Sequence, residues 1–305
     1  MGLRGRLGNN LWEFAAGLGI ARALDAELLF DCHRVPEHVR FLPQLLGENY
    51  REATAAELRG VGVASVRAGT APTVARFALR RTHELGRRLR GKSRGVLDLL
   101  DHTDVFRPEF FALDPPVYLT GYFQDLAFFA GVTDEVAAWM QFPNDGASLP
   151  DGRDTVAVTF RRGDYNLFEA GLRVDYYDRA MQAVADELGA PTFVLFGDDP
   201  EFVDLFAERA VQRGHSVVSA LPLGHHPLTQ LRLVGECNHA ILANSTFSWW
   251  GAWLGDRRGG AGRIVIAPKG FFGRNLRDGW RELEEVPGTA VTYDLSAYKA
   301  RAAFD

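Results

Sequence analysis

From residue 155 onward the chain alternates short apolar runs with stretches of helical spacing, and this alternation limits the possible folds more than any other feature of the sequence. Residues 155–160, 192–197, 216–219, 239–243 and 263–267 are apolar-rich runs bounded by turn residues, and they read as buried strands. Residues 175–188, 200–213, 227–236 and 247–254 between them read as helices. Strands that alternate with helices in this way build a parallel, doubly wound sheet, which covers both faces with helices. Ligands of such sheets sit beyond the carboxyl ends of the strands, so the residues that follow each strand carry the functional question.

The first half is less clearly patterned. Leu11, Phe14, Ala15, Leu18, Ala21 and Leu24 recur at helical spacing, with Asn9 or Asn10 available as the N-cap. Residues 27–31 and 117–121 read as short strands. Residues 142–154 hold two prolines and two glycines and read as a linker. The expected organisation is therefore an N-terminal α/β domain over residues 1–145 and a Rossmann-like domain over residues 146–305. A chain of 305 residues is long enough for two such cores without covalent staples. Cys32 and Cys237 lie far apart and have no C-x-x-C spacing, which excludes a disulfide framework and a thiolate zinc site.

Charge narrows the partners. A net charge of -5 excludes a general nucleic-acid binder, so any anion site must be local. No apolar run approaches the ~20 residues of a membrane span, and the N-terminus lacks the apolar core of a secretory signal. A cytoplasmic protein is expected. Residues 76–94 carry Arg80, Arg81, Arg87, Arg88, Arg90 and Lys92 against Glu84 alone. Such a run reads as a solvated face, or as a peripheral contact with the inner membrane face or an anionic acceptor.

Three strand ends carry candidate chemistry. After residues 155–160 come Arg161 and Arg162, then Gly163, Asp164 and Tyr165. Paired guanidinium forks grip a diphosphate, the alternative being an ion pair with Asp164. After residues 192–197 come Asp198 and Asp199, suited to ribose hydroxyls, a guanine N–H edge or a divalent ion. One of the two is expected to cap the helix that Pro200 opens. After residues 239–243 come Asn244, Ser245 and Thr246, where hydroxyls and orphan N–H groups at a helix start form an anion site or a simple cap. Trp249, Trp250 and Trp253 read mainly as core. The opening segment with Gly8, Asn9 and Asn10 lacks the G-x-G-x-x-G form of a dinucleotide loop. Glu13 follows it as a candidate base or a dipole-favoured surface acid. His225, His226, Cys237 and His239 show no converging metal-ligand spacing, and no metal site is expected.

Taken together, five blocks resemble the bacterial α-1,2-fucosyltransferase family within the wider GDP-fucose-dependent fucosyltransferases: GRLGNNLWEFAAG, YLTGYFQD, VTFRRGDY, FGDD and NSTFSWWGAWL. They run in the family's order over nearly the whole chain. The resemblance implies a GT-B fold, two Rossmann-like domains facing a cleft, with the C-terminal domain holding a GDP-sugar and acceptor specificity residing in the first half. It implies an inverting transfer without a metal. Arg161, Arg162, Asn244 and the Ser245–Thr246 turn would hold the diphosphate, Asp198 and Asp199 the nucleoside, and Gly8, Asn9 and Asn10 would complete the donor site. Arg161, Glu13 and Asp164 are the candidate catalytic residues.

The chain departs from the family at four places. Thr159 stands where the family has histidine, Gly197 where serine is usual, Asn9–Asn10 for asparagine–glutamine, and Glu13 for glutamine on the first helix. Loss of the histidine removes a donor to the departing diphosphate. The strand that should precede the glycine loop is shortened to residues 1–4, so either the native start lies upstream or the sheet edge is remodelled. The leading reading is transfer of an L-fucosyl or related hexosyl group to an acceptor hydroxyl of a carbohydrate or other small molecule. The alternative is a GDP-hexose mutase interconverting pyranose and furanose forms, for which Asp198 and Asp199 would recruit Mg2+ or Mn2+. A GDP-sugar binder without activity is a third reading.

Overall fold

A computed structural model describes residues 1–61, 95–98, 106, 108–151, 154–162, 171–224, 226–259 and 262–284. The basic run at 76–94, the segment Gly163, Asp164 and Tyr165, and His225 lie outside these residues. The chain divides into two compact units: Met1–Asp145 with Pro227–Thr229, and Gly146–His226 with Gln230–Asp305.

In the first unit, strand β1 (Gly95–Asp98) pairs in parallel with β2 (Val117–Thr120). Parallel bridges continue from there, Gly2 to Thr120, Gly2 to Asp31 and Phe30 to Glu52. The shortened opening segment is thus held on both sides: Gly2 N–H donates to Leu119 O at 2.7 Å and Leu3 N–H to Asp31 O at 2.9 Å. Helix α1 (Leu7–Ala23) is buried nearly all round, as expected of a helix apolar on every side. Trp12 meets Phe129 edge-on at 5.7 Å and Phe14 stacks on Trp139 at 5.9 Å. Three short helices, α2 (Leu42–Leu46), α3 (Ala55–Gly60) and α4 (Thr133–Trp139), complete the described part of this unit.

The expected cap of α1 is corrected. Its N-cap is Arg6, in extended conformation and with no side-chain cap. The Arg6 carbonyl accepts from both Asn9 N–H and Asn10 N–H at 3.0 Å, so these asparagines already lie in the first turn. Helix formation therefore begins at Leu7, and Gly8, Asn9 and Asn10 are helical rather than part of a loop.

The second unit carries one six-stranded parallel sheet in the order β5-β4-β3-β6-β7-β8. The strands are β3 (Thr155–Phe160), β4 (Thr192–Gly197), β5 (Ser216–Ser219), β6 (His239–Ile241), β7 (Val265–Pro268) and β8 (Arg281–Leu283). Helices α5 (Val174–Leu188), α6 (Pro200–Gln212), α7 (Pro227–Glu236) and α8 (Thr246–Arg258) connect them. The α/β class and this unit's strands and helices read from the sequence are present, and the run read at 117–121 forms β2 in the first unit, whereas residues 27–31 form only isolated bridges at Phe30 and Asp31 in place of the expected strand. Strand β8, and β1 in the first unit, were not legible because each is short and weakly apolar.

Val156, Val158, Phe160, Phe193 and Leu195 of the sheet pack with Tyr177, Met181, Phe202 and Phe206 of α5 and α6 in one core. The rings interlock at 4.8 Å for Phe160–Phe206, 5.2 Å for Phe160–Phe202 and 5.9 Å for Tyr177–Phe206. Phe206 is fully buried. Its replacement by alanine leaves a ring-sized void and is expected to cost about 3–5 kcal/mol in urea unfolding, whereas Val211→Thr on the exposed face of the same helix should be nearly neutral.

Candidate functional site

The sheet order of the second unit runs outward from β3 in both directions: β4 and β5 on one side, β6, β7 and β8 on the other. The direction reverses between β3 and β6, and such a switch point leaves a crevice beyond the strand ends where ligands bind. The residues following β3, β4 and β6 therefore meet at one sheet edge. They are Arg161 and Arg162, Asp198 and Asp199, and Asn244, Ser245 and Thr246.

The two acids divide their work. Asp199 is the N-cap of α6, its Oδ1 accepting from Phe202 N–H at 3.1 Å, with Pro200 in the first turn. Asp198 binds the other strand end: its Oδ2 accepts from Arg161 Nη1, and its Oδ1 accepts from Arg162 N–H at 2.8 Å. This carboxylate fixes both the backbone and the first guanidinium of the arginine pair. The Arg162 guanidinium lies over the Phe202 ring at 4.2 Å, a cation–π contact that sets its direction.

Ser245 caps α8, its Oγ accepting from Phe247 N–H at 3.2 Å. The helix start directs orphan N–H groups and its dipole toward the strand ends, which favours negative charge there. Trp249, Trp250 and Trp253 are all fully buried, and Trp249 Nε1 donates to Asn275 O at 2.8 Å.

Two family departures have a packing explanation. Thr159 is buried, and its Oγ1 donates to Ile241 O at 3.3 Å and accepts from Ala243 N–H at 2.9 Å. It stitches β3 to the chain just before Asn244. At Gly197 an added Cβ would lie 2.7 Å from Val203 and 3.3 Å from Phe160, so serine would force apart the β4 end and α6.

Gly8, Asn9, Asn10 and Glu13 belong to the first unit. Asn9 Oδ1 accepts from Gln124 Nε2 at 3.2 Å. Asn10 Nδ2 donates to Arg4 O at 2.7 Å and to Glu13 Oε2 at 3.0 Å, and Arg4 N–H donates to the same Oε2 at 3.0 Å. Glu13 is fully buried rather than a surface acid, and desolvation raises its pKa well above the ordinary glutamate value. Glu13 is shut off from solvent, with its Oε2 taken up by Arg4 N–H and Asn10 Nδ2, an arrangement that suits a structural acid. Asp164 lies outside the described residues.

Sequence reasoning missed a second polar cluster of this unit, at the carboxyl end of the bridged residues Phe30 and Asp31. Buried Asp31 accepts from His33 Nδ1 at 2.8 Å and from the Tyr118 hydroxyl at 3.0 Å, both through Oδ2, while its Oδ1 accepts from His33 N–H at 3.3 Å. Burial and the Asp31 charge push the Tyr118 hydroxyl pKa upward. Arg4 Nε donates to Thr120 Oγ1 at 2.8 Å beside it. The Asp-x-His spacing of Asp31 and His33 was no readable signal, because Phe30 and Asp31 form isolated bridges that no strand pattern announces. Among the described residues no group of three or more His, Cys, Asp or Glu could hold a metal ion, and no helix is long and apolar enough to cross a membrane.

Two substitutions test these environments. Thr159→Val leaves Ala243 N–H buried without an acceptor and should cost about 1–3 kcal/mol in chemical unfolding. Because burial raises the Glu13 pKa above its ordinary value of 4.5 in the folded chain, the carboxyl's contribution to stability is full below that value and falls as pH rises past it. Glu13→Gln, neutral throughout, is expected to gain stability relative to the native chain as pH rises, read as the difference between the two melting temperatures across about pH 4–8. The two melting curves should converge near pH 4.

Comparison with known proteins extends this geometry. The sequence profile of glycosyl transferase family 11 matches residues 104–275. O-antigen biosynthesis glycosyltransferase WbnK of Escherichia coli is 28% identical over 188 residues, covering 54% of this chain and 60% of that protein. An alpha-1,2-colitosyltransferase of Escherichia coli is 30% identical over 127 residues, covering 40% of this chain and 42% of that protein. The matches therefore span less than two thirds of either relative. Among solved structures, POFUT1 in complex with GDP-fucose is similar with a TM-score of 0.48 at 14% identity, covering 86% of this chain and 95% of that one. Escherichia coli ADP-heptose lps heptosyltransferase II gives 0.45 at 13% identity, covering 99% and 97%.

Proposed function

The chain belongs to glycosyl transferase family 11, and on that premise we propose that it moves an L-fucosyl or related hexosyl group from a GDP-sugar to an acceptor hydroxyl with inversion. The observation that carries the reading is the meeting of Arg161, Arg162 and the α8 N-terminus at the switch point of one parallel sheet. Positive charge and helix-end N–H groups brought together there suit a diphosphate. In transfer, the bond from the anomeric carbon to the diphosphate breaks while the acceptor oxygen bonds to that carbon, and negative charge grows on the departing GDP. Arg161 and the Ser245–Thr246 turn stabilise that charge, a contribution larger in the transition state than in the bound donor.

In this reading Asp198 orients Arg161 and Arg162 instead of binding the nucleoside itself, and Asp199 serves as the helix cap. The acceptor is a carbohydrate, in keeping with the relatives named for O-antigen biosynthesis and colitosyl transfer. Nothing among the relatives supports internal rearrangement of a GDP-hexose. Purified protein would be incubated with GDP-L-fucose, GDP-L-colitose and GDP-D-mannose, each with p-nitrophenyl β- and α-glycosides, and followed by chromatography with mass detection. The expected result is GDP together with an acceptor one hexosyl unit heavier. An isomer of unchanged donor mass formed without acceptor would overturn the reading. Arg161→Ala is expected to lower kcat/KM by about 10²–10³, the scale of losing one charge-stabilising group.

A further inference from the structure

The donor crevice lies beyond the carboxyl ends of the second unit's strands, and the same unit holds a cavity at the opposite, amino-terminal edge of its parallel sheet. The cavity has a volume of about 280 Å³ and is lined by Asp154 before β3, Glu236 at the end of α7, His239 at the start of β6, Gly255 and Arg258 in α8, and Arg263 before β7. Small-molecule sites span roughly 300–1,000 Å³, so a cavity of this size suits a compact ligand and not a nucleotide. We propose that it is a second anion site, separate from the donor crevice, which takes inorganic phosphate or a small phosphate monoester.

Two donors belong to buried side chains. Arg263 passes residue 255 so closely that a Cβ there would lie 2.2 Å from Nη2, and only glycine admits it. Its Nη1 donates to Asn238 O at 2.8 Å and to Cys237 O, and its Nε lies 3.3 Å from Asp256 Oδ1. Nη2 is buried and has no hydrogen-bond partner among the described residues, and a buried donor of that kind calls for an acceptor. His239, also buried, accepts from Ile264 N–H at 3.0 Å through Nδ1. The proton of the neutral ring is therefore on Nε2, which makes that nitrogen the second donor. Desolvation lowers the pKa of both side chains, so an anion brought against them offsets what burial costs their charged forms.

Arg258 supplies the third donor group. Its side chain is 58% exposed and approaches Glu236 only to 3.9 Å, a loose pairing that lets the guanidinium turn toward a bound oxyanion. The negative groups nearby are already engaged. Both oxygens of Glu236 accept from Arg232 Nη1 at 3.0 Å, and Asp256 pairs with Arg263 and with Arg277. The carbonyls of Cys237 and Asn238, just past the end of α7, accept from Arg263. Asp154 is exposed, where water and salt screen its charge. Two guanidinium groups and an imidazole N–H around one small cavity fit a tetrahedral oxyanion.

The test is isothermal titration calorimetry on the full chain saturated with GDP, which fills the donor crevice. Sodium phosphate and glycerol phosphate are titrated separately, against sodium chloride of the same ionic strength. Saturable binding of one phosphate per chain is expected. Arg258→Ala, at an exposed position, and His239→Asn, whose Oδ1 can still accept from Ile264 N–H, should each weaken it about tenfold, the loss of one hydrogen bond to a charged group. GDP affinity should not change in either variant. Tighter binding of glycerol phosphate would identify a monoester as the ligand, and tighter binding of sodium phosphate the free ion; either supports the site. Absence of saturable phosphate binding by the native chain, or equal affinity in the native chain and both variants, would overturn it. The transferase reading is tested apart from this, by hexosyl transfer across the panel above.

Discussion

Strand β3 is hydrogen-bonded on both sides, to β4 over six residue pairs and to β6 over three, and all six of its residues are buried. Everything proposed for the donor side hangs from this placement. A strand paired on both edges cannot slide, because a one-residue slip would turn its whole apolar set to the other face. Arg161 and Arg162 therefore leave the sheet at a fixed height and direction. The β6 end is tied to the same height through Thr159, whose hydroxyl bonds the backbone at Ile241 and Ala243. A cation pair and a helix N-terminus are thus brought together by one buried hydroxyl and a parallel ladder, before any ligand is present.

Four acids, three at strand ends and Glu13 within α1, show how neighbours, not residue type, set an acid's surroundings. Asp199 is spent on the α6 N-cap, where orphan N–H groups need an acceptor. Asp198, one residue earlier, faces β3 instead and holds the arginines. Glu13 lies in a helix apolar on every side, and desolvation outweighs the bonds from Arg4 and Asn10 that favour its ion. Asp31 is as deeply buried, but gains an imidazole, a phenol and a backbone N–H. The same burial thus raises the pKa of one acid, while the other is met by a ring nitrogen, a hydroxyl and a backbone N–H.

The second unit was legible because period and length agree there. Residues 155–160 and 192–197 are continuous apolar runs of strand length, and most elements of this unit have bounds within a residue or two of those read from the sequence; the exception is α8, read as 247–254 and running over Thr246–Arg258. The first unit resisted because its parallel pairing runs through isolated bridges at Gly2, Asp31 and Phe30 that no alternation announces. The α1 start was misplaced because Asn9 and Asn10 look like caps, whereas the extended Arg6 backbone already supplies the first carbonyl. The anion grip could be read from residues that follow strands. The Asp31–His33 pair could not, since its strand is two bridged residues long and its third partner, Tyr118, is 87 positions away.

Two of the departures from the family pattern, Thr159 and Gly197, have separate packing reasons. Thr159 and Phe160 are consecutive on β3, and Gly197 pairs with Phe160 in register while lying against Val203 of α6. A serine at 197 would press on Phe160, the ring around which Tyr177, Phe202 and Phe206 interlock. A histidine at 159 would have to fit where a threonine now fills a fully buried position and satisfies two backbone groups. The small residues thus accompany a tightly closed β3–β4–β6 edge. On the transferase reading proposed above, a donor absent at position 159 would leave the charge of the departing group to Arg161, held by Asp198, and to the α8 N-terminus. That proposed division would follow from the packing of the strand ends and not from the identity of the sugar.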